Sequence, residues 1–114
     1  MAQDRTVSAR RSMRYRIVNG AIQDEAGGNI GTSLDLVARF RAGGYQNFQP
    51  TAIMVNADTT SGATTSRITG WLFDDESGVA KPFDIVPNQV QPLQFGRINV
   101  AGTTATDFII LGQN

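Results

Sequence analysis

Apolar and polar residues alternate along most of this chain, and the alternation predicts strands. In residues 13–18, Met13, Tyr15 and Ile17 share one face while Arg14 and Arg16 take the other. That is the period-2 pattern of a half-buried strand. A short strand follows at residues 21–23, ended by Gly27, Gly28 and Asn29. Across residues 33–41, Leu34, Leu36, Ala38 and Phe40 alternate with Asp35, Val37, Arg39 and Arg41, which reads as a strand. A helix there would have a poor apolar stripe and would end soon, at Gly43 and Gly44. Residues 52–55 are apolar on both faces, which reads as a central strand.

Residues 58–66 form a polar loop too poor in apolar side chains to pack. Residues 67–73 are a further strand, closed by a turn over residues 74–78. Pro82 suits residues 79–86 to an edge strand or the start of pairing rather than a central position, because proline cannot donate to a ladder. Between residues 90 and 100 the apolar phase changes: Leu93 and Phe95 share one parity, Ile98 and Val100 the other. Gly96 lies at the switch, the signature of a β-bulge. Residues 107–111 are the last strand. The fold class is therefore all-β: a single-domain β-sandwich or small barrel of about seven to eight mostly antiparallel strands. Residues 1–12 read as an extended N-terminal arm and residues 13–114 as the folded domain.

Length and composition agree. A chain of 114 residues can bury one thin core without disulfides or metals. It has no cysteine and no histidine, which removes thiolate sites, the commonest metal ligand and the commonest general base. No apolar run is long enough to span a membrane. The first residues lack a signal peptide's apolar core and read as a cytosolic start.

Charge is distributed unevenly. Ten basic and ten acidic residues give a net charge of zero. Arg5, Arg10, Arg11, Arg14 and Arg16 nevertheless stand against Asp4 alone in the first 16 residues, a local charge of +4. The remainder carries −4. A basic arm on a small acidic body points to a partner outside the chain's own core. These five arginines are the candidate partner-binding residues. With Arg14 and Arg16 on the outer face of a strand, only Arg5, Arg10 and Arg11 are left for a free arm, which favours a protein partner over nucleic acid.

Other motifs read as ordinary structure. Asp74, Asp75 and Glu76 could ligate a divalent cation, but adjacent strand residues point to opposite faces and Ser77-Gly78 completes a turn. The glycines at 27, 28 and 31 lack the Lys-Ser/Thr of a phosphate loop. Trp71, Phe73, Tyr15, Tyr45 and Phe48 could build a sugar-stacking platform, although single aromatics on thin sandwiches are usually core. No nucleophile, base or metal cage assembles, so the chain reads as a non-enzyme without cofactor or metal.

Residues 83–111 carry the one familiar pattern. Phe83-Asp84-Ile85-Val86-Pro87-Asn88 is followed by Val90-Gln91-Pro92-Leu93-Gln94-Phe95-Gly96-Arg97-Ile98, by Ala101-Gly102-Thr103-Thr104-Ala105-Thr106, and by Phe108-Ile109-Ile110-Leu111. This resembles the ending of small all-β head proteins of tailed phages and gene transfer agents, with Asp107 and Phe108 as departures. The resemblance rests mainly on Arg97 and residues 102–106. It implies a capsid decoration (cement) or head-spike base protein, made in the host cytoplasm and resident in the virion. Its partners would be the major capsid protein or neighbouring virion subunits, in a homo-oligomer such as a trimer. Two other readings stay open: a shell subunit whose arm reaches packaged nucleic acid, and a carbohydrate- or receptor-binding module presenting Trp71, Tyr45 or Phe48.

Overall fold

The computed structural model describes residues 11–41 and 48–113, without the side chains of 39–41. They form β1 (Arg11–Val18), β2 (Ala21–Gln23), β3 (Asn29–Gly31), β4 (Ser33–Asp35), α1 (Leu36–Arg41), β5 (Gln49–Asp58), β6 (Ser66–Leu72), β7 (Lys81–Ile85), β8 (Phe95–Asn99) and β9 (Ala105–Gln113). One sheet runs β3-β2-β1-β9-β5 and the other β4-β8-β6-β7. Every pairing is antiparallel. The all-β, sandwich-like class is as the alternation predicts, with nine strands among the described residues where seven to eight were expected. No described helix is long and apolar enough to cross a membrane.

The two sheets close over a core in which each contributes its inward parity. Tyr15, Ile22, Ile53, Val55, Phe108 and Ile110 come from the larger sheet, and Leu34, Ile68, Ile85, Phe95 and Ile98 from the smaller. Tyr15 lies 5.9 Å from Phe108, and Phe83 meets Phe95 edge-on at 5.1 Å. Full burial of such a side chain stabilises by about 1.5–3 kcal/mol.

Two sequence readings hold in detail. Pro82 sits on β7, an edge strand. The β6–β8 register passes from Trp71↔Arg97 to Leu72↔Phe95, leaving Gly96 as the extra residue of a bulge. That bulge turns Phe95 and Ile98 both inward. A side chain at Gly96 would come within 2.9 Å of the Phe73 backbone, which explains the glycine.

Three readings need correction. Residues 33–41 are not one strand: β4 ends at Asp35 and α1 begins. Asp35 Oδ1 accepts the Ala38 amide at 2.9 Å, the hydrogen bond of a helix N-cap. Residues 52–55 are not central, since β5 is the last strand of its sheet. Its open side is covered instead by the β7–β8 connection: Ile53 N–H donates to Gln91 O at 2.9 Å, and Gln91 N–H to Ile53 O at 2.8 Å. Asn88 N–H adds a bond to Val55 O. Finally, β1 starts at Arg11, opposite Gly112, so Arg11 and Ser12 belong to the sheet and not to an arm ending at residue 12.

Hydroxyl-rich turns join the sheets at one end. Asp58, closing β5, accepts from Ser66 Oγ at the start of β6, from Thr104 Oγ1 at 2.7 Å and from the Thr60 amide at 2.9 Å. Burial pushes this carboxyl up, but the bonds from Ser66, Thr104, Thr60 and Thr59 outweigh it and hold it below its ordinary value. Residues 102–104 brace the same region, with Thr103 Oγ1 accepting the Thr69 amide and Thr104 Oγ1 the Arg67 amide, both at 2.9 Å. The Gly-Thr-Thr motif is thus a bracket on β6.

Two stability predictions follow from these contacts. Asp58→Ala leaves the buried Ser66 hydroxyl and that of Thr104 without their acceptor and should cost about 2 kcal/mol in urea unfolding. At Gly70 a Cβ would lie 1.9 Å from Arg97 O on the paired strand. Gly70→Ala should therefore cost about 3 kcal/mol in the same experiment, with a lower midpoint and an unchanged denaturant slope.

Candidate docking face

β1 presents Ser12, Arg14 and Arg16 outward and buries Met13 and Tyr15, as its alternation predicts. Residues directly opposite in a sheet share a face, so the register defines what surrounds those arginines. Arg14 lies opposite Ile109, which lies opposite Met54. Ser12 lies opposite Leu111, itself opposite Ala52, and Arg16 lies opposite Asp107. The outer face of the larger sheet therefore carries a basic row on β1 beside an apolar row on β9 and β5. Ile109, Leu111 and Met54 are half-buried there and lie outside the central core cluster.

The arginines differ in what they can do. Arg14 Nε donates to Asp107 Oδ1 at 2.9 Å and its Nη2 to Asp107 Oδ2, a two-pronged clamp across the sheet. The Arg14 amide also donates to Glu25 Oε1 at 2.8 Å. The hydrogen bond from Arg14 holds the Asp107 carboxyl below its ordinary value; burial opposes this, and the charges of Arg14 and Arg16 reinforce it. Arg16 is exposed and forms no ion pair with any described residue, which makes it the outward guanidinium of the strand. Arg11 is half-buried at the start of β1, on the parity of Met13. Arg5 and Arg10 lie outside the described residues. The structure thus brings Arg11, Arg14 and Arg16 onto one strand but commits Arg14 to its own sheet.

The first half of β1 has a second accessible flank. β9 pairs with it from Arg11 to Arg16, whereas β2 pairs only from Arg16 to Val18. Beyond the end of β2 a cleft of about 250 Å³ runs alongside Ser12–Tyr15, closed by Asp24, Glu25 and Ala26. A strand edge beside a cleft can accept an extended segment by β-augmentation.

The other candidates resolve as structure. Phe48 is buried and so adds nothing to an exposed aromatic row, and Tyr45 lies outside the described residues. Trp71 is half-buried, with the Arg97 guanidinium 5.3 Å from its ring centre. Asp75 accepts from Lys81 Nζ at 2.7 Å and from the Ser77 amide at 2.9 Å, as the turn reading requires. Among the described residues no group of three or more carboxylates is placed to hold a metal ion. Sequence reasoning missed the Arg14–Asp107 clamp, whose partners are 93 residues apart. Their shared face becomes visible only once β1 is paired with β9. No protein-family model, curated protein or solved structure matches the chain.

The clamp has a pH signature. Asp107 titrates lower in the folded chain than in the unfolded one, so its stabilisation is complete above the unfolded carboxylate value, about 4, and is lost as pH falls through the folded value. Asp107→Asn should flatten the acid side of the stability–pH curve, read from urea midpoints between neutral and strongly acidic pH. An unchanged acid limb would remove the clamp as a contributor.

Proposed function

We propose that this chain is a structural virion subunit, a capsid decoration or head-spike base protein that docks on the capsid lattice through its N-terminal segment and β1. The observation that carries this reading is the continuity of a basic segment with an embedded strand. Arg5 and Arg10 precede β1 in the chain, and β1 offers Arg16, opposite Asp107 and one row along from the apolar Ile109 and Met54, with a strand edge on its flank. A mixed basic and apolar face of this kind suits an acidic protein surface better than a bare polyanion, because guanidinium groups pair bidentately with carboxylates while apolar neighbours exclude water.

The similarity of residues 83–111 to phage and gene-transfer-agent head proteins supports the same reading. Its Gly-Thr-Thr residues act in the bracket on β6, a role any subunit of that build would need. Arg14 is committed to Asp107, which leaves few guanidinium groups for phosphate and weakens the alternative of a genome-binding shell subunit. The reading requires no cofactor and no catalytic group.

The test is binding of the purified chain to capsids assembled without it. Deleting residues 1–10 spares β1 and should lower occupancy at fixed concentration roughly tenfold. Arg16→Glu should lower it by roughly threefold to tenfold, with a wild-type thermal midpoint. Undiminished occupancy for both variants would sink the docking role.

A further inference from the structure

A groove of about 790 Å³ opens between α1, the end of β6 and the turn that follows β6. Val37, Ala38, Trp71 and Phe73 form its apolar wall, and Asp35, Asp74, Asp75 and Glu76 its rim. Two of the four carboxylates are already engaged. Asp35 caps α1 and lies 3.6 Å from Arg97, and Asp75 is bound by Lys81 and Ser77. Asp74 and Glu76 are exposed and form no ion pair with any described residue. The groove therefore combines an aromatic wall with two uncommitted negative charges. An arginine answers both features, since its aliphatic stem packs on apolar surface while its guanidinium pairs with a carboxylate. Trp71 already accepts a guanidinium over its ring, from Arg97.

We infer that this groove receives the N-terminal segment of a second copy of this chain, with Arg5 and Arg10 meeting Asp74 and Glu76. The inference rests on the reading of the N-terminal segment as a docking element and assigns that segment to a sister copy, so that its deletion would lower capsid occupancy by removing contacts between neighbouring subunits while β1 meets the lattice itself. Charge supports the match: residues 1–10 hold two arginines against Asp4, and the groove holds two unpaired carboxylates. Reach supports it as well. Ten extended residues span about 33–36 Å, more than the 30 Å and 27 Å shorter dimensions of the molecule. The contact is heterologous, because the segment of one copy meets the groove of the next. Such contacts build rings or open chains of subunits, and β1 keeps its outer face for the lattice.

The test is sedimentation velocity of the full chain at rising concentration, combined with fluorescence of Trp71, the sole tryptophan. The chain should self-associate, more weakly at high salt, and the Trp71 signal should change with association. The groove variant Asp74→Asn/Glu76→Gln and the segment variant Arg5→Gln/Arg10→Gln should each associate roughly tenfold more weakly. Each exchanges two charged side chains for neutral polar ones of similar size, and far-ultraviolet circular dichroism checks the fold of each. An equimolar mixture of the two variants should give a complex that stops at two chains, since only one partner has an intact segment and only the other an intact groove.

A full chain that stays monomeric overturns the inference, as does association that the groove variant leaves unchanged. A Trp71 response to the segment variant that is independent of concentration also overturns it, by placing the segment in its own groove. A monomeric chain that still binds capsids defeats this inference alone. A chain that assembles head to tail yet ignores capsids defeats the virion reading alone.

Discussion

Tyr15 packed against Phe108 determines which way the central strands of this molecule face. Both rings are fully buried and belong to adjacent strands in direct register. Because side chains alternate with a period of two, a slip of β1 by one residue would part Tyr15 from Phe108, turn Tyr15 outward and bury Arg14 and Arg16 instead. The cost of burying those unpaired charges rules out the alternative register. The outward arginines, the Arg14–Asp107 clamp and the apolar row of Ile109 and Met54 all inherit their positions from that one packing choice. The candidate docking face is thus a by-product of core formation, held as firmly as the core.

The charges of the body follow a second logic. Arg14–Asp107, Arg67–Asp84, Lys81–Asp75 and Arg97–Asp35 are cross-linked within the fold. Other carboxylates serve the backbone: Asp24 accepts the Ala26 and Gly28 amides in the β2–β3 turn, and Asp58 gathers the hydroxyls of Ser66 and Thr104. The zero net charge is therefore neutralised mostly in place. Among the described side chains, what remains outward includes Arg16 on the larger sheet, and Asp74 with Glu76 on the groove rim. Exposed pairs add little to stability, so these leftover charges matter for recognition.

Local features were legible in the sequence, and long-range ones were not. The alternation around Met13 and Tyr15, the phase change at Gly96 and the proline of β7 each express a rule acting over a few residues. The helix α1 was also local, but its signal was the capping side chain of Asp35, masked by the alternation of Leu34, Leu36 and Ala38. Asn19-Gly20 likewise marks the tight β1–β2 hairpin through its two positive φ angles, 52° and 76°. The covered flank of β5 needed Gln91 to return beside Ile53, and the clamp needed Asp107 to return beside Arg14. The groove required α1 and the end of β6 to meet. None of these three leaves a trace in neighbouring residues, because each is created by the topology.

The covering of β5 by the β7–β8 connection has a consequence for life at high concentration. Open strand edges template fibrillar cross-β growth, a hazard that rises with protein concentration. Here the four sheet borders are blunted by three devices. β3 and β4 are only three residues long, β7 carries Lys81 and Pro82, and β5 has Gln91 bonded across Ile53. Sheet extension from one molecule into the next is therefore blocked at these four borders, and ordered association is left to the short open flank of β1, to faces and to side chains, where it can be specific and reversible.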